Sequence, residues 1–164
     1  MMEVKLATLA KLIMDIGIQN VSTLLKNQDA KIKIAPESDK AARVCAEFVY
    51  FFMCMLDLKL YERFGNRSDD RDKVFDAVFY ELTSKMSIEG KNNFAKNLDD
   101  RLMEYSKCPF TSKEKFFDTK GAHLGEHICN ITGCGKDAYV IAMVSTLSLT
   151  GLLMLKESCP EIFA

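Results

Sequence analysis

Apolar residues recur along most of the chain at steps of three and four, the spacing that lines one face of an α-helix. Near the N-terminus they run from Leu6 to Leu25, which predicts an amphipathic helix over residues 3–27. The stretch 31–36 follows, and Pro36 disfavours helix at the residue before it. We therefore expect an extended connector between the first helix and the second.

The second predicted helix is dense in aromatic residues. Ser38 or Asp39 caps its N-terminus, it continues to Phe64, and Gly65 is a plausible left-handed residue at its C-terminus. Most of its positions are apolar, so we expect it to pack against several neighbours.

Four further helices follow from the same periodicity and from capping residues. Their predicted bounds are Ser68 to about Met86, Ser87 to Lys107, about 119 to 132, and Asp137 to just before Pro160. Between the second and third of these, the sequence from Thr111 to Glu114 matches a capping box and predicts a short helical segment.

The chain has no useful strand-like alternation, no repeat and no linker that divides it. We therefore predict one all-α domain over residues 1–164, a compact bundle of about six helices with the apolar C-terminal helix buried at its centre.

Residues 138–155 carry no charge, which meets the length criterion for a membrane span. Hydroxyl residues and Gly151 dilute this stretch, so we expect a buried helix with Leu147, Leu152 and Leu153 in the core. A membrane anchor is the alternative.

Charge and cysteine content narrow the functional classes. The 22 basic and 23 acidic residues nearly cancel, which gives no electrostatic basis for binding nucleic acid or an anionic membrane. The first residues lack the apolar core and cleavage site of a signal peptide. The six cysteines are therefore expected to be thiols in a reducing compartment, and the cytoplasm is the expected location.

The two histidines, His123 and His127, are four residues apart and would share one face of a helix. They match the H-x-x-E-H pattern of some zinc peptidases, but a catalytic zinc needs a third protein ligand and few acids follow them. A structural zinc site would add Cys129 and Cys134. It requires the helix to end at His127, because Cys129 otherwise points about 200° away.

A polar stripe on the second helix is the other candidate site. At about 100° per residue, five side chains share it: Glu47, Tyr50, Cys54, Asp57 and Tyr61. They would either line a ligand pocket or form the solvated face of the helix, and amphipathicity favours the solvated face.

No catalytic signature or nucleotide-binding loop is found. The preferred hypothesis is a non-catalytic helical protein that acts by self-association, as a two-fold homodimer formed through the first two helices, or by binding a protein partner or a small apolar ligand. The alternative is a metal-binding protein or metal-dependent enzyme, with zinc at His123 and His127.

Overall fold

The computed structural model consists of helices joined by loops, and it describes residues 2–65 and 68–163. In chain order the helices are α1 (Met2–Lys26), α2 (Asp39–Phe64), α3 (Ser68–Thr83), α4 (Ile88–Ser106), α5 (Lys120–Thr132), α6 (Ala138–Ser158) and α7 (Pro160–Phe163). The described residues contain no strand. The all-α prediction is therefore confirmed, with a short seventh helix added. The predicted turn at Asn66 and Arg67, and the predicted cap by the side chain of Ser68, lie outside what is described.

Polar side chains begin the helices where the sequence predicted. The Ser38 hydroxyl accepts a hydrogen bond from the backbone N–H of Ala41 at 3.2 Å. The Asp137 carboxylate accepts one from Val140, also at 3.2 Å. Gly133 ends α5 with a φ of 75°, a conformation that glycine adopts at little cost.

The predicted short helical segment after the capping box is present, as a single 3-10 turn. Ser112 caps a turn, because its hydroxyl accepts a hydrogen bond from the N–H of Lys115 at 2.9 Å. The chain then forms only the 3-10 turn Phe116–Asp118 before α5. A capped segment this short cannot repay the cost of nucleating an α-helix.

The centre of the bundle is α2, which contacts each of the other six described helices. Residues 48–56 are all buried, so this helix has no solvated side along its middle. The prediction that the C-terminal helix occupies the centre is therefore wrong. The aromatic side chains of α2 give it apolar surface on every side, and such a helix buries most area when it is surrounded.

One side of α6 is packed and the other faces solvent. Ile141, Val144 and Leu155 are fully buried. Leu153 is 61% exposed, however, and Leu147 and Leu152 are only half-buried, so the prediction of three buried leucines is not met. The helix is apolar all round, but its neighbours α5, α1, α7 and α2 cover only part of its circumference.

Small residues bring α5 and α6 close together. A Cβ atom on Gly125 would lie 2.8 Å from the Cα of Ile141, and one on Gly121 would lie 2.4 Å from the hydroxyl of Ser145. The distance between the helix backbones therefore requires glycine at Gly125, whereas at Gly121 the closest atom is the Ser145 hydroxyl and the backbone Cα of Ser145 is 3.3 Å away. This explains the helix-weakening Gly125 between the two histidines.

Candidate functional site

The polar stripe of α2 faces neighbouring helices along most of its length. Glu47, Tyr50 and Cys54 are each buried, with only 4–6% of their surface exposed. The interpretation of this stripe as a solvated face is therefore wrong for these three residues. Only the last residue of the stripe, Tyr61, is exposed.

Four of the five side chains of the stripe, all except Cys54, have a partner on a neighbouring helix. The Tyr50 hydroxyl accepts a hydrogen bond from Asn97 of α4 at 3.4 Å. Asp57 accepts one from Nε of Arg71 in α3 at 2.9 Å, and the Arg71 guanidinium lies 5.7 Å from the ring centre of Tyr61. The polar stripe thus pairs α2 with α3 and α4.

The strongest of these pairs joins Glu47 to Arg101 of α4. Arg101 donates through Nε and a terminal nitrogen to the two carboxylate oxygens, each at 2.8 Å. This bidentate geometry is the favoured one for a guanidinium and a carboxylate. The hydrogen bonds to Glu47 raise the pKa of Arg101, so its guanidinium stays protonated.

Arg101 also connects this pair to the histidines. Its other terminal nitrogen lies 3.7 Å from Glu104, one helical turn further along α4. Glu104 in turn contacts both histidines of α5: one carboxylate oxygen lies 2.8 Å from Nδ1 of His123 and the other 2.8 Å from Nε2 of His127. We call these five side chains the polar ladder: Glu47, Arg101, Glu104, His123 and His127.

Glu104 fixes which ring nitrogens carry hydrogen. An ionised carboxylate can only accept, so His123 must donate from Nδ1 and His127 from Nε2, and neutral imidazoles can do this. Burial alone would raise the pKa of Glu104, but the hydrogen bonds from both histidines and the nearby Arg101 lower it below its usual value. The histidine pair is thereby used to dock α5 on α4.

The residues described form no group of three or more His, Cys, Asp or Glu side chains arranged to hold a metal ion. α5 continues to Thr132, so the condition for adding Cys129 and Cys134 to a zinc site fails. Glu126, the acid of the H-x-x-E-H pattern, faces Lys136 at 3.7 Å. Among the described residues, Glu104 is the one hydrogen-bond partner of each imidazole.

Glu104 and Arg101 were missed because nothing in the sequence links α4 to the histidines. Their i, i+3 spacing gives them a common helix face, but it does not say which helix they meet. A search for acidic residues outside the C-terminal third would have found Glu104 only among many other candidates, and it would not have found Arg101.

A cavity of about 250 Å³ lies between α2, α3, α4 and the start of α5. Three of the five residues of the polar stripe line this cavity, whereas Glu47 and Tyr50 do not. Its lining residues are Cys54, Met55, Asp57, Leu58, Tyr61, Arg71, Leu102, Tyr105, Ser106 and Lys120. Burial raises the pKa of the Cys54 thiol, which makes this cysteine a poor nucleophile.

A second surface of interest is the exposed side of α6. Leu149 is 43% exposed, and Leu153, Ala142 and Thr146 are exposed on the same side. A groove of about 590 Å³ lies beside the C-terminal half of this side, where Leu149 and Leu153 line it together with Leu58 of α2 and Phe110. We call Ala142, Thr146, Leu149 and Leu153 the α6 face.

The composition of α6 also meets a simple test for a membrane span. Within the described chain it is the one helix long and apolar enough, with a mean hydropathy of 1.9, and 39% of that window is buried. The core helix of a soluble protein passes the same test, so this finding alone does not assign the helix to a membrane.

Comparison of this chain with protein-family models, with curated proteins and with solved structures yields no match to any of them.

Proposed function

We propose that this is a non-catalytic helical protein that acts by self-association through the α6 face. The observation that carries the proposal is the exposed uncharged surface of α6. Leu149 and Leu153 remain open to solvent although the chain has buried its other long apolar helix, α2, completely along its middle. Apolar surface that the fold leaves uncovered is typical of an interaction site.

The spacing of the α6 face suits another helix. Its members follow one another at steps of four, three and four, the alternation that forms the seam between paired helices. At about 100° per residue they fall within a sector of about 60°. Tyr139 and Lys156 extend the same alternation at the two ends.

A second copy of the chain fits this seam in the antiparallel orientation. The two-fold axis would pass between Thr146 and Leu149. Thr146 of one copy then faces Leu149 of the other, and Ala142 faces Leu153 of the other copy. Each small residue then meets a large one. A parallel pairing would instead set leucine against leucine and leave alanine opposite alanine.

The ends of the seam agree with the same arrangement. Antiparallel pairing sets Lys156 of one copy against Tyr139 of the other, where an ammonium and an aromatic ring attract each other. Leu58 and Phe110, both partly exposed beside the α6 face, supply further apolar area at the flank. The surface is thus self-complementary, as a two-fold interface must be.

Light scattering coupled to size exclusion tests the proposal directly. At tens of micromolar we expect a mass near twice the 18.5 kDa of one chain. Leu153→Lys should return the mass to that of a monomer, because it buries an unpaired charge in the seam. Met103→Lys is the matched control on α4, 64% exposed and outside the α6 face, and it should leave the dimer intact.

Mixing two variants tests the orientation. Ala142→Glu and Leu153→Lys should each be monomeric alone, whereas an equal mixture should form a heterodimer, because the new glutamate faces the new lysine only in the antiparallel pairing. A mixture that stays monomeric would reject this orientation. A wild-type chain that is monomeric at these concentrations but sediments with phospholipid vesicles would replace self-association by membrane binding.

A further inference from the structure

One positive charge in the cavity lacks a negative partner. Lys120 is only 8% exposed, and its ammonium donates to the backbone carbonyl oxygens of Tyr105 and Cys108 at the end of α4. The other charged residues of the lining, Asp57 and Arg71, pair with each other. Among the described residues no carboxylate forms an ion pair with Lys120, although an ammonium has three donors.

A second polar group in the lining is unused. The hydroxyl of Tyr105 is fully buried and has no hydrogen-bond partner among the described residues, and the residue as a whole is 1% exposed. Leaving a buried hydroxyl unpaired costs on the order of 1–3 kcal/mol, so such groups are rare and call for an explanation. Tyr105 and Lys120 both line this cavity, together with the buried Cys54.

We propose that this cavity binds a small monoanionic carboxylate, with the ammonium of Lys120 and the hydroxyl of Tyr105 as the two donors. A carboxylate supplies the negative charge that Lys120 lacks and an acceptor for the Tyr105 hydroxyl. Both unsatisfied groups of the cavity would thus be satisfied by one ligand. This goes beyond self-association, because neither of the two donors belongs to the α6 face.

The remaining lining defines the ligand further. Met55 and Leu102 present apolar surface, which suits a short hydrocarbon body. Because Arg71 is already neutralised by Asp57, the cavity offers one net positive charge from Lys120, and a dianion would be left under-compensated. A volume of about 250 Å³ corresponds to about eight water molecules at roughly 30 Å³ each, so the ligand must be small.

The cavity is accessible from solvent. Leu58, Tyr61 and Ser106 line it and are exposed, so together they form its rim. The buried members of the lining are Cys54, Met55, Tyr105 and Lys120, so the two donors lie at the inner end of the cavity.

Titration calorimetry and thermal unfolding with butyrate, butanamide and inorganic phosphate test the ligand class at constant ionic strength. We expect butyrate to bind at one site per chain and to raise the unfolding temperature. Butanamide, which has the same shape without the charge, should bind at least about 10-fold more weakly, since hydrogen bonds to charged groups are stronger. Equal binding of butanamide, tighter binding of phosphate, or no binding of butyrate up to tens of millimolar would overturn the proposal.

Two tyrosine variants test the site. Tyr105→Phe removes only the unpaired hydroxyl, so the free protein should be as stable as wild type or more stable, while butyrate should bind about 10-fold more weakly. Tyr50→Phe is the matched control, because its hydroxyl pairs with Asn97 and it does not line the cavity. It should leave butyrate affinity unchanged.

Lys120→Met should abolish butyrate binding, provided the variant folds. If it does not fold, the Tyr105 result decides. Wild-type affinity in Tyr105→Phe would reject the site.

Discussion

Removing the arginine of the polar ladder should destabilise the protein more than most single changes. In Arg101→Met the apolar stem is kept and the guanidinium is lost. Glu47 would then keep its buried position with no cation on its two oxygens, which now accept bonds of 2.8 Å each. Only 8% of the Glu47 side chain is exposed, so water cannot replace the arginine without opening the interface between α2 and α4.

The burial of the pair sets the expected magnitude. Losing one partner of a buried ion pair costs about 3–5 kcal/mol, because the desolvated charge that remains is uncompensated. For a chain of this length, each kcal/mol lowers the unfolding temperature by about 2–4 °C. We therefore expect a fall of roughly 6–20 °C for Arg101→Met. The double variant Glu47→Leu/Arg101→Met should recover most of this loss, because it leaves no buried charge.

Urea denaturation followed by circular dichroism, at one fixed protein concentration, measures these free energies of unfolding. Lys11→Met is the control: it breaks an exposed pair with Asp15 on α1 and should cost less than about 0.5 kcal/mol. If Arg101→Met is no more damaging than this control, or if the double variant loses as much as the two single variants combined, the polar ladder is not a buried electrostatic contact and the reasoning fails.

Three further outcomes follow from the packing and the charges. Because the pKa of Glu104 is lowered in the fold, its ionised form stabilises the protein above a pH of about 4.3, and this contribution is lost as the pH falls through the lowered pKa. The stability difference between wild type and Glu104→Gln, measured by urea denaturation, should therefore shrink from pH 7 towards pH 3. Gly125→Ala should lower the unfolding temperature despite a gain in helix propensity, at a net cost of about 1–2 kcal/mol, because its Cβ would lie 2.8 Å from Ile141. Leu155→Ala should cost about 2–5 kcal/mol in urea denaturation, whereas Leu153→Ala should change the stability of dilute protein by less than about 0.5 kcal/mol.

The local features of the fold were determined by the sequence. Helix periodicity, the capping residues Ser38 and Asp137 and the stop at Gly133 act over a few residues, so they can be recognised without knowing the rest of the structure. The i, i+4 spacing also established that His123 and His127 share a helix face. Local hydrogen bonds and backbone preferences are the reason these predictions held.

Only the tertiary structure decided which helix faces pack against each other. Two helices, α2 and α6, are apolar over most of their surface, and composition alone could not rank them for the centre of the bundle. The large aromatic side chains of α2 favoured α2. Likewise, nothing local linked Glu104 to the histidines, or brought Tyr105 and Lys120 to one cavity, because they lie on separate helices. Burial and pairing between helices are cooperative properties of the whole packed chain, so a pattern read along one helix shows what that helix can bury but not what will cover it.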